Sequence, residues 1–284
     1  FSSNTCTVTV AAADLQALTD GTTYTITVNV DDVAENSATP DTGDTFVYDI
    51  TAPSIANVVP SWGTYLNAVE DNSDGTIVVT TADSANGATV TVTGMGVTDT
   101  CTVSSNACTV TVAAADLQAL TNGNTYTITV ALTADAAGNT ATSDTGDTFV
   151  YDITAPTVTS VVSEEANGDM LAEGAVADFY VEFSENINFV GAPQITLQSN
   201  DGATTTVNAA TFANDTDKAY FDWTVPDGAY SVYLDYETTT SLSAGTTIKD
   251  LAGNAATLTL PAPPAWGAQG TNASLSQAAT GGSF

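Results

Sequence analysis

Short runs of alternating apolar and polar residues cover most of the chain, and period-two alternation is typical of half-buried β-strands. Between Ser54 and Pro156, turn-forming groups such as DNSDG, ANGA and NGN separate these runs. The runs are TIVVTT (76–81), ATVTVT (88–93), VTDTCTV (97–103), ACTVTV (107–112), TYTITVAL (125–132) and DTFVYDI (147–153). The pattern predicts an all-β fold.

One segment of this stretch has a helical composition. AAADLQAL (113–120) is too short for an independent helix, so it predicts a single turn that crosses between two sheets. Tyr126 begins the strand that follows, and Tyr24 holds the same place earlier in the chain. Both fit a corner tyrosine whose hydroxyl bonds to upstream backbone, and a plain aromatic at the core edge is the alternative.

An internal repeat gives the predicted domain organisation. Residues 4–28 recur almost unchanged at 106–130, and DTGDTFVYDITAP stands at both 41–53 and 144–156. The two boundary prolines, Pro53 and Pro156, are 103 positions apart, which is the size of one sandwich domain. We therefore predict the C-terminal half of a repeat at 1–53 and a complete repeat at 54–156.

A third unit, 157–260, has a different sequence with the same alternation. Its runs are AVADFYVEF (175–183), QITLQ (194–198), KAYFDWTV (218–225) and YSVYLDY (230–236). A Pro-rich exit and a Ser/Ala/Gly tail follow at 261–284. The predicted fold is a rod-like tandem array of immunoglobulin-like, Greek-key β-sandwiches of about seven strands each.

Composition narrows the set of partners. The chain carries 33 acidic residues against two cations, Lys218 and Lys249, and has a formal net charge of −31. Phosphate recognition relies on Arg and Lys, so we expect no nucleic-acid partner. No apolar run approaches the roughly 20 residues that span a bilayer, so we expect no membrane insertion. The charge reflects an acidic surface suited to salty water, carboxylates that bind cations, or both.

An acidic loop occurs in all three units, as DVAEN (32–36), DAAGN (135–139) and DLAGN (250–254). Carboxylate, amide and turn carbonyl oxygens are hard ligands that suit Ca²⁺. An Asp before each boundary proline, Asp49 or Asp152, can close the site between one domain and the next. The alternative is an Asx-turn in which Asp and Asn bond only to their own loop.

The first loop differs from the others because Glu35 replaces Gly, which adds a ligand and reduces turn flexibility. Two further acidic turns, DNSDG (71–75) and EEANGD (164–169), supply secondary candidates. These candidates are Asp71, Asp74, Glu164 and Glu165.

Cys101 and Cys108 flank TVSSNA, which reads as the turn of a hairpin, and we predict a disulfide between them. Free buried thiols are the alternative. Cys6 matches Cys108, and the counterpart of Cys101 would fall two residues before Phe1. Because the counterpart of residues 54–102 is missing from the first unit, we expect a longer natural chain, with that cysteine bonded to Cys6. Completion by another subunit is the alternative account.

Catalytic chemistry finds little support in the sequence. The chain has no His, and neither Lys lies in a recognisable motif, so no nucleophile–base pair is visible. Paired carboxylates for glycoside hydrolysis remain compatible with the composition, but the acidic residues gather at turns and boundaries. We expect a protein that is not an enzyme.

The pattern L-x-x-G-x-x-Y-x-I-x-V, followed by D-x-A-G-N-x-A and D-x-T-A-P, resembles the bacterial Ig-like repeats of large cell-surface adhesins and biofilm proteins. The third unit, with FSENINFVGAPQITL (183–197) and TIKDLAGNAATLTLP (247–261), resembles a related module of marine bacterial surface proteins. The resemblance implies an extracellular location, Ca²⁺ at the linkers and an extender role. The ligands that it implies are Asp135, Asn139 and Asp152, then Asp32, Asn36 and Asp49, and finally Asp250 and Asn254.

Three functions follow from this interpretation. An adhesin extender would be a monomeric rod whose partners are its own neighbouring domains and a surface ligand. A filament, sheath or surface-layer subunit would bind copies of itself. A glycan-binding module would need an exposed aromatic platform, for which Trp62, Trp223 and Trp266 are the candidates. The alternation places Trp223 in a core and leaves Trp62 and Trp266 exposed.

Overall fold

The computed structural model describes residues 5–83, 87–164, 170–199, 202–227, 234–245, 247–262 and 277–278. These residues form an all-β structure, as predicted. The first strands are β1 (Thr22–Val28), β2 (Asp41–Tyr48), β3 (Ser54–Pro60), β4 (Tyr65–Leu66), β5 (Gly75–Ala82), β6 (Thr89–Thr93), β7 (Asp99–Thr102), β8 (Ala107–Val112), β9 (Thr125–Leu132) and β10 (Asp144–Tyr151). The later strands are β11 (Val158–Ser163), β12 (Met170–Leu171), β13 (Val176–Val190), β14 (Gln194–Ser199), β15 (Thr204–Phe212), β16 (Thr216–Thr224), β17 (Leu234–Tyr236), β18 (Leu242–Ser243), β19 (Thr247–Asp250) and β20 (Gln277–Ala278).

The helices are short. They are α1 (Ala12–Gln16), α2 (Ala114–Leu117) and a 3-10 turn at Glu70–Asn72. The chain divides into two compact units, one of Phe1–Gly63, Asp74–Leu120 and Tyr126–Thr148, the other of Thr64–Ser73, Thr121–Thr125 and Phe149–Phe284. The domain boundaries derived from the repeat stay a prediction.

Residues of the complete repeat form a three-stranded sheet in the order β3-β5-β8 and a five-stranded sheet in the order β4-β10-β9-β6-β7. Strands of both sheets bury alternate residues, such as Ile77 and Val79 in β5 and Ile128 and Val130 in β9. Helix α2 joins β8 to β9, so the helical segment crosses from one sheet to the other, as predicted. The two sheets are consistent with a β-sandwich.

The disulfide between Cys101 and Cys108 is present, as predicted. The residues between the two cysteines form the tight hairpin turn that was predicted, since Ser104 and Ala107 exchange two backbone hydrogen bonds. Strand β7 pairs with β6, whereas β8 pairs with β5, so the cysteines belong to different sheets. Ser105 and Asn106 reverse the chain with positive φ angles, and the strands diverge after one bridge between Ser104 and Ala107. The disulfide therefore links the two sheets.

A separate sheet with the order β11-β13-β16-β15-β14-β17 organises residues 158–250, and β18 and β19 add to β14 and β13. Its core includes Phe179, Phe221, Ile187 and Leu197, all fully buried. Strand β13 is the longest element, and its register breaks between Glu182 and Ile187. Beyond the break it pairs with β19, which ends at Asp250.

Two further observations bear on the sequence predictions. The Tyr24 hydroxyl accepts a hydrogen bond from the backbone N–H of Thr19 at 2.8 Å, as expected of a corner tyrosine. None of the helices in the described ranges has the length and hydropathy of a membrane span.

Candidate metal centre

The three acidic loops share one hydrogen-bonded form, and in each the Asp carboxylate accepts two bonds from the Asn. In the third loop, Asp250 Oδ1 accepts the backbone N–H of Asn254 and Oδ2 accepts its side-chain amide, both at 2.8 Å. The equivalent distances are 2.9 Å between Asp135 and Asn139. They are also 2.9 Å in the first loop, between Asp32 and Asn36. The Asx-turn that was the alternative to cation binding is therefore present in every loop.

These bonds stabilise the ionised carboxylates. The side-chain amide of Asn36 is the main cause that lowers the pKa of Asp32, and the amide of Asn139 does the same for Asp135. The first two loops thus hold a negatively charged Asp at neutral pH.

The fourth position of each loop has a positive φ, which is 93° at Gly138 and 97° at Gly253. Glycine adopts this left-handed conformation without steric cost. Glu35 adopts it as well, with φ of 66°. The first loop therefore keeps the turn with a side chain that rarely adopts this conformation, in line with the cost expected from its sequence.

The Asn side chain of two loops also bonds to a boundary Asp. Asn254 donates its amide to the backbone oxygen of Asp152 at 2.8 Å. Asn139 donates to the backbone oxygen of Asp49 at 3.2 Å. The sequence analysis grouped Asp135 and Asn139 with Asp152 as ligands of one site. That grouping is wrong, because Asn139 bonds to Asp49 and Asn254 bonds to Asp152. Each of these two loops contacts the boundary Asp that precedes its own unit, because the loop returns to the end of the sheet where that unit begins.

The third loop has the most extensive contacts. The Asn254 side-chain oxygen accepts the N–H of Ala68 at 3.1 Å, and the Asn67 amide donates to the backbone oxygen of Ala252 at 2.8 Å. The two polar residues of this loop are buried, with Asp250 3% and Asn254 5% exposed.

Three carboxylates converge beside this loop. Ligand atoms of Asp152, Glu185 and Asp250 all lie within 4.8 Å of one another. Asp152 and Glu185 are half-buried, and Asp250 is buried. Burial raises the pKa of Glu185, and the charges of Asp152 and Asp250 raise it further. Among the residues that the structure describes, this is the one trio of possible ligands held so closely.

Glu185 is the residue that the sequence analysis missed. It lies inside β13, where the register breaks, and not in a turn. The neighbouring Ser184 is held to the linker, since its N–H donates to the Thr157 backbone oxygen at 2.8 Å and its hydroxyl accepts the Thr157 N–H at 3.0 Å. The polar triplet Ser-Glu-Asn after Phe183 interrupts the apolar alternation, and this was the available signal.

The preceding boundary repeats the same register with different residues. Ile55 pairs with Thr81 in the complete repeat, as Val158 pairs with Phe183 in the third unit, and both ladders shift immediately afterwards. Asp83 follows Thr81 by two positions, as Glu185 follows Phe183. Asp83 therefore holds the register position of Glu185, but it is exposed and outside the close trio.

The other predicted ligands have different surroundings. Asp32 and Asn36 bond to each other at the exposed first loop. Asp71 is buried and accepts the Tyr151 hydroxyl at 2.8 Å, and Asp74 accepts the Ala114 N–H at the start of α2 at 2.9 Å.

The last two secondary candidates lie near the start of the third unit. Glu164 donates its backbone N–H to the Asp178 backbone oxygen at 2.8 Å. Glu165 lies outside the described residues.

The aromatic platform expected for a glycan-binding module is not present at Trp62. Trp62 is 6% exposed and Trp223 is 8% exposed, so the prediction of an exposed Trp62 is wrong and that of a buried Trp223 is confirmed. Trp62 is buried because Gly75 presents no side chain opposite its ring. Trp266 lies outside the described residues.

No protein family matches the chain. No curated protein matches it either. Among solved structures, it is similar to one from a study of host cell surface retention of a 1.5-MDa bacterial ice-binding adhesin, at 22% identity over 87% of this chain and 74% of that one, with a TM-score of 0.38.

A second similar structure is a Ca²⁺-stabilised adhesin that helps an Antarctic bacterium reach out and bind ice, at 26% identity over 86% of this chain and 56% of that one, with a TM-score of 0.35. A third is a DUF4785-family protein of Legionella pneumophila, at 14% identity over 69% and 52% of the two chains, with a TM-score of 0.28. The chain thus spans about half the length of the second and third structures. Similarity at this level fixes neither the family nor the function of this chain.

Proposed function

We propose that the chain is an extracellular, calcium-stabilised segment of tandem Ig-like repeats from a bacterial surface adhesin, and that it acts as a non-catalytic extender. The observation that carries the proposal is the convergence of Asp152, Glu185 and Asp250 within 4.8 Å. These residues come from the linker before the third unit, from strand β13 and from the last position of β19. The disulfide between Cys101 and Cys108 is in keeping with an oxidising, extracellular compartment.

The donor set fits calcium. Three carboxylates offer hard oxygen ligands, and Ca²⁺ takes six to eight oxygens from carboxylates, carbonyls and water. At 4.8 Å and an effective dielectric constant of about 20, each pair of carboxylates repels by on the order of 3 kcal/mol. A divalent cation between the carboxylates attracts each of them and so offsets their mutual repulsion.

An ion held by these residues would stiffen the linker. Asp152 opens the segment that leads to Thr157, and Asn254 already bonds to the Asp152 backbone oxygen. Glu185 and Asp250 belong to paired strands of the third unit. Calcium would therefore attach the Asp152 carboxylate to the sheet edge, which limits the freedom of the linker backbone. An extender needs such stiff linkers to hold a binding tip away from the cell.

We extend the proposal to the preceding boundary, where Asp49, Asp83 and Asp135 take the corresponding places. The Asn139 amide lies 3.5 Å from Asp49 Oδ1, so the Asp49 carboxylate also faces the loop. Because Asp83 is exposed, this second site is expected to bind calcium more weakly than the first.

Thermal unfolding in calcium and in chelator tests the proposal. Binding to the native state adds about 2.7 kcal/mol per site when calcium is a hundredfold above Kd. For a domain of about 100 residues this corresponds to a Tm higher by about 10 °C. We therefore expect EGTA to lower the Tm by about 10 °C. In size-exclusion chromatography we expect the chain to elute as a monomer, with calcium and without it. Equal melting curves at matched ionic strength would contradict calcium stabilisation, and calcium-dependent polymers would favour a filament or sheath subunit over an extender.

A further inference from the structure

The outer face of the sheet in the third unit carries a cleft of about 320 Å³. Phe179 and Phe221 are buried in the core, so the residues that alternate with them along β13 and β16 lie on the opposite face of the sheet. Small-molecule sites have volumes of about 300–1,000 Å³ and combine aromatic rings with a few polar groups, and this cleft has both properties. On the outer face it is lined by Glu164, Asp178, Thr211, Tyr220 and Asp222.

Next to the cleft, a cation of the chain already lies on this face. Tyr180 is opposite Tyr220 on the paired strands, and their ring centroids are 5.5 Å apart. The ammonium group of Lys218 lies 4.4 Å from the centre of the Tyr180 ring and 3.6 Å from a carboxylate oxygen of Glu182. An ammonium group in this position is attracted by the ring and by the carboxylate. The charges on the Tyr180 side therefore offset each other.

The Tyr220 side has a ring and carboxylates but receives no lysine of the chain. Asp178 lies directly opposite Asp222, and like charges in that position repel each other. Glu164 continues the row, since its backbone N–H donates to the Asp178 backbone oxygen at 2.8 Å. The second lysine of the chain, Lys249, lies in β19, which pairs with β13 beyond the register break. A cation on the Tyr220 side must therefore come from another molecule.

The spacing of these carboxylates favours an organic cation over a metal ion. Neighbouring strands lie about 4.8 Å apart, so the row from Glu164 to Asp222 extends over about 10 Å. Among the described residues, these three carboxylates are not held within 4.8 Å of one another, in contrast to the trio at the linker. A methylene chain that carries ammonium groups can follow such a row and lay its apolar part against the half-buried Tyr220 ring.

We propose that this cleft is a binding site for alkylammonium groups. One ammonium group would lie over the Tyr220 ring between Asp178 and Asp222, as the Lys218 ammonium lies over Tyr180, and a second would reach Glu164. A free linear polyamine and the lysine side chains of a partner polypeptide both carry this chemistry. The site shares no residue with the carboxylates at the linker, so the proposal does not depend on calcium binding there.

Calorimetric titration of spermidine, a linear triamine, into the 284-residue chain in calcium-containing buffer tests the proposal. We expect saturable binding that Asp222→Asn weakens about fivefold or more, because a carboxylate next to the ammonium group is lost. Tyr220→Leu should weaken it about threefold, because the attraction between ring and cation is lost while the charge of the chain stays the same. The matched control is Glu173→Gln, which removes an equal charge from an exposed turn and should bind spermidine as the wild type does.

A peptide of three lysines with blocked ends distinguishes the two sources of the ammonium group. Binding tighter than that of spermidine, with the same response to Asp222→Asn, supports a partner polypeptide, and weaker binding supports a free polyamine. The absence of saturable binding of either probe would overturn the proposal. Equal losses of affinity in the Asp222→Asn and Glu173→Gln variants would overturn it as well, because amines would then only collect around the net negative charge of the chain.

Discussion

Asp235 shows what a single buried charge does to this fold. It lies in β17 with 4% of its surface exposed, and its Oδ1 accepts the backbone N–H of Tyr236 at 2.8 Å. Burial raises the pKa of Asp235 to about 6, against a contribution from that hydrogen bond that lowers it. Between pH 4 and 6, therefore, Asp235 is protonated in the native state and ionised in the unfolded chain. Stability from this group is complete below pH 4 and is lost as pH rises through 6.

Asp235→Asn should remove this loss. The amide keeps an oxygen acceptor for the Tyr236 N–H and carries no charge, so the variant should be more stable than the wild type at pH 7, by about 1–3 kcal/mol. The two proteins should have nearly equal free energies of unfolding at pH 4. Denaturant unfolding at both values checks this, with the exposed Asp222→Asn as the matched control. An equal difference at pH 4 and pH 7 would show that burial of charge is not the cause.

At the scale of elements, the sequence located most strands because alternation survives in each of them. Strand β8 was expected at 107–112 and β9 at 125–132, and both are found there. The loops were also recognisable, since Asp, Gly and Asn at fixed spacing dictate one turn. What alternation cannot show is which strands pair, so the sequence did not reveal that the disulfide between Cys101 and Cys108 joins two sheets.

The burial of Trp62 escaped prediction for a related reason. Trp62 lies in the turn after β3, outside any alternating run, and its burial depends on Gly75 at the start of β5. A Cβ atom at Gly75 would collide with the Trp62 ring and lie 3.1 Å from Leu117 Cδ1. The absence of a side chain at one position thus creates the place for a large one, which a period-two pattern does not reveal.

Gly75→Ala should therefore destabilise the complete repeat by about 1–3 kcal/mol through overpacking. Gly146→Ala is the matched control, because Gly146 also lies in a strand and a Cβ atom there would meet no atom within 4 Å. The control should be neutral or slightly stabilising, since alanine has less conformational freedom in the unfolded chain. Denaturant midpoints measure both variants. Similar losses in the two would mean that the effect comes from the backbone and not from Trp62.

At the scale of the whole molecule, the carboxylates that give the chain its net charge of −31 have different structural roles. Some carboxylates accept hydrogen bonds within their own loops, as Asp32 and Asp135 do, and others cap or brace elements, as Asp71 and Asp74 do. The sequence identified Asp152 and Asp250 as candidate ligands. The sequence analysis missed Glu185, which a register break in β13 brings to the linker.

Calorimetric titration of Ca²⁺ into the chelator-stripped 284-residue chain tests whether Asp152, Glu185 and Asp250 hold a calcium ion. We expect saturable binding of at least one ion. Glu185→Gln should weaken that binding tenfold or more, which is at least about 1.4 kcal/mol, because one carboxylate in three is lost. Glu173→Gln, which removes an equal charge from an exposed turn, should bind as the wild type does. Equal calcium affinities of the Glu185→Gln variant and the wild type would contradict calcium binding by Glu185.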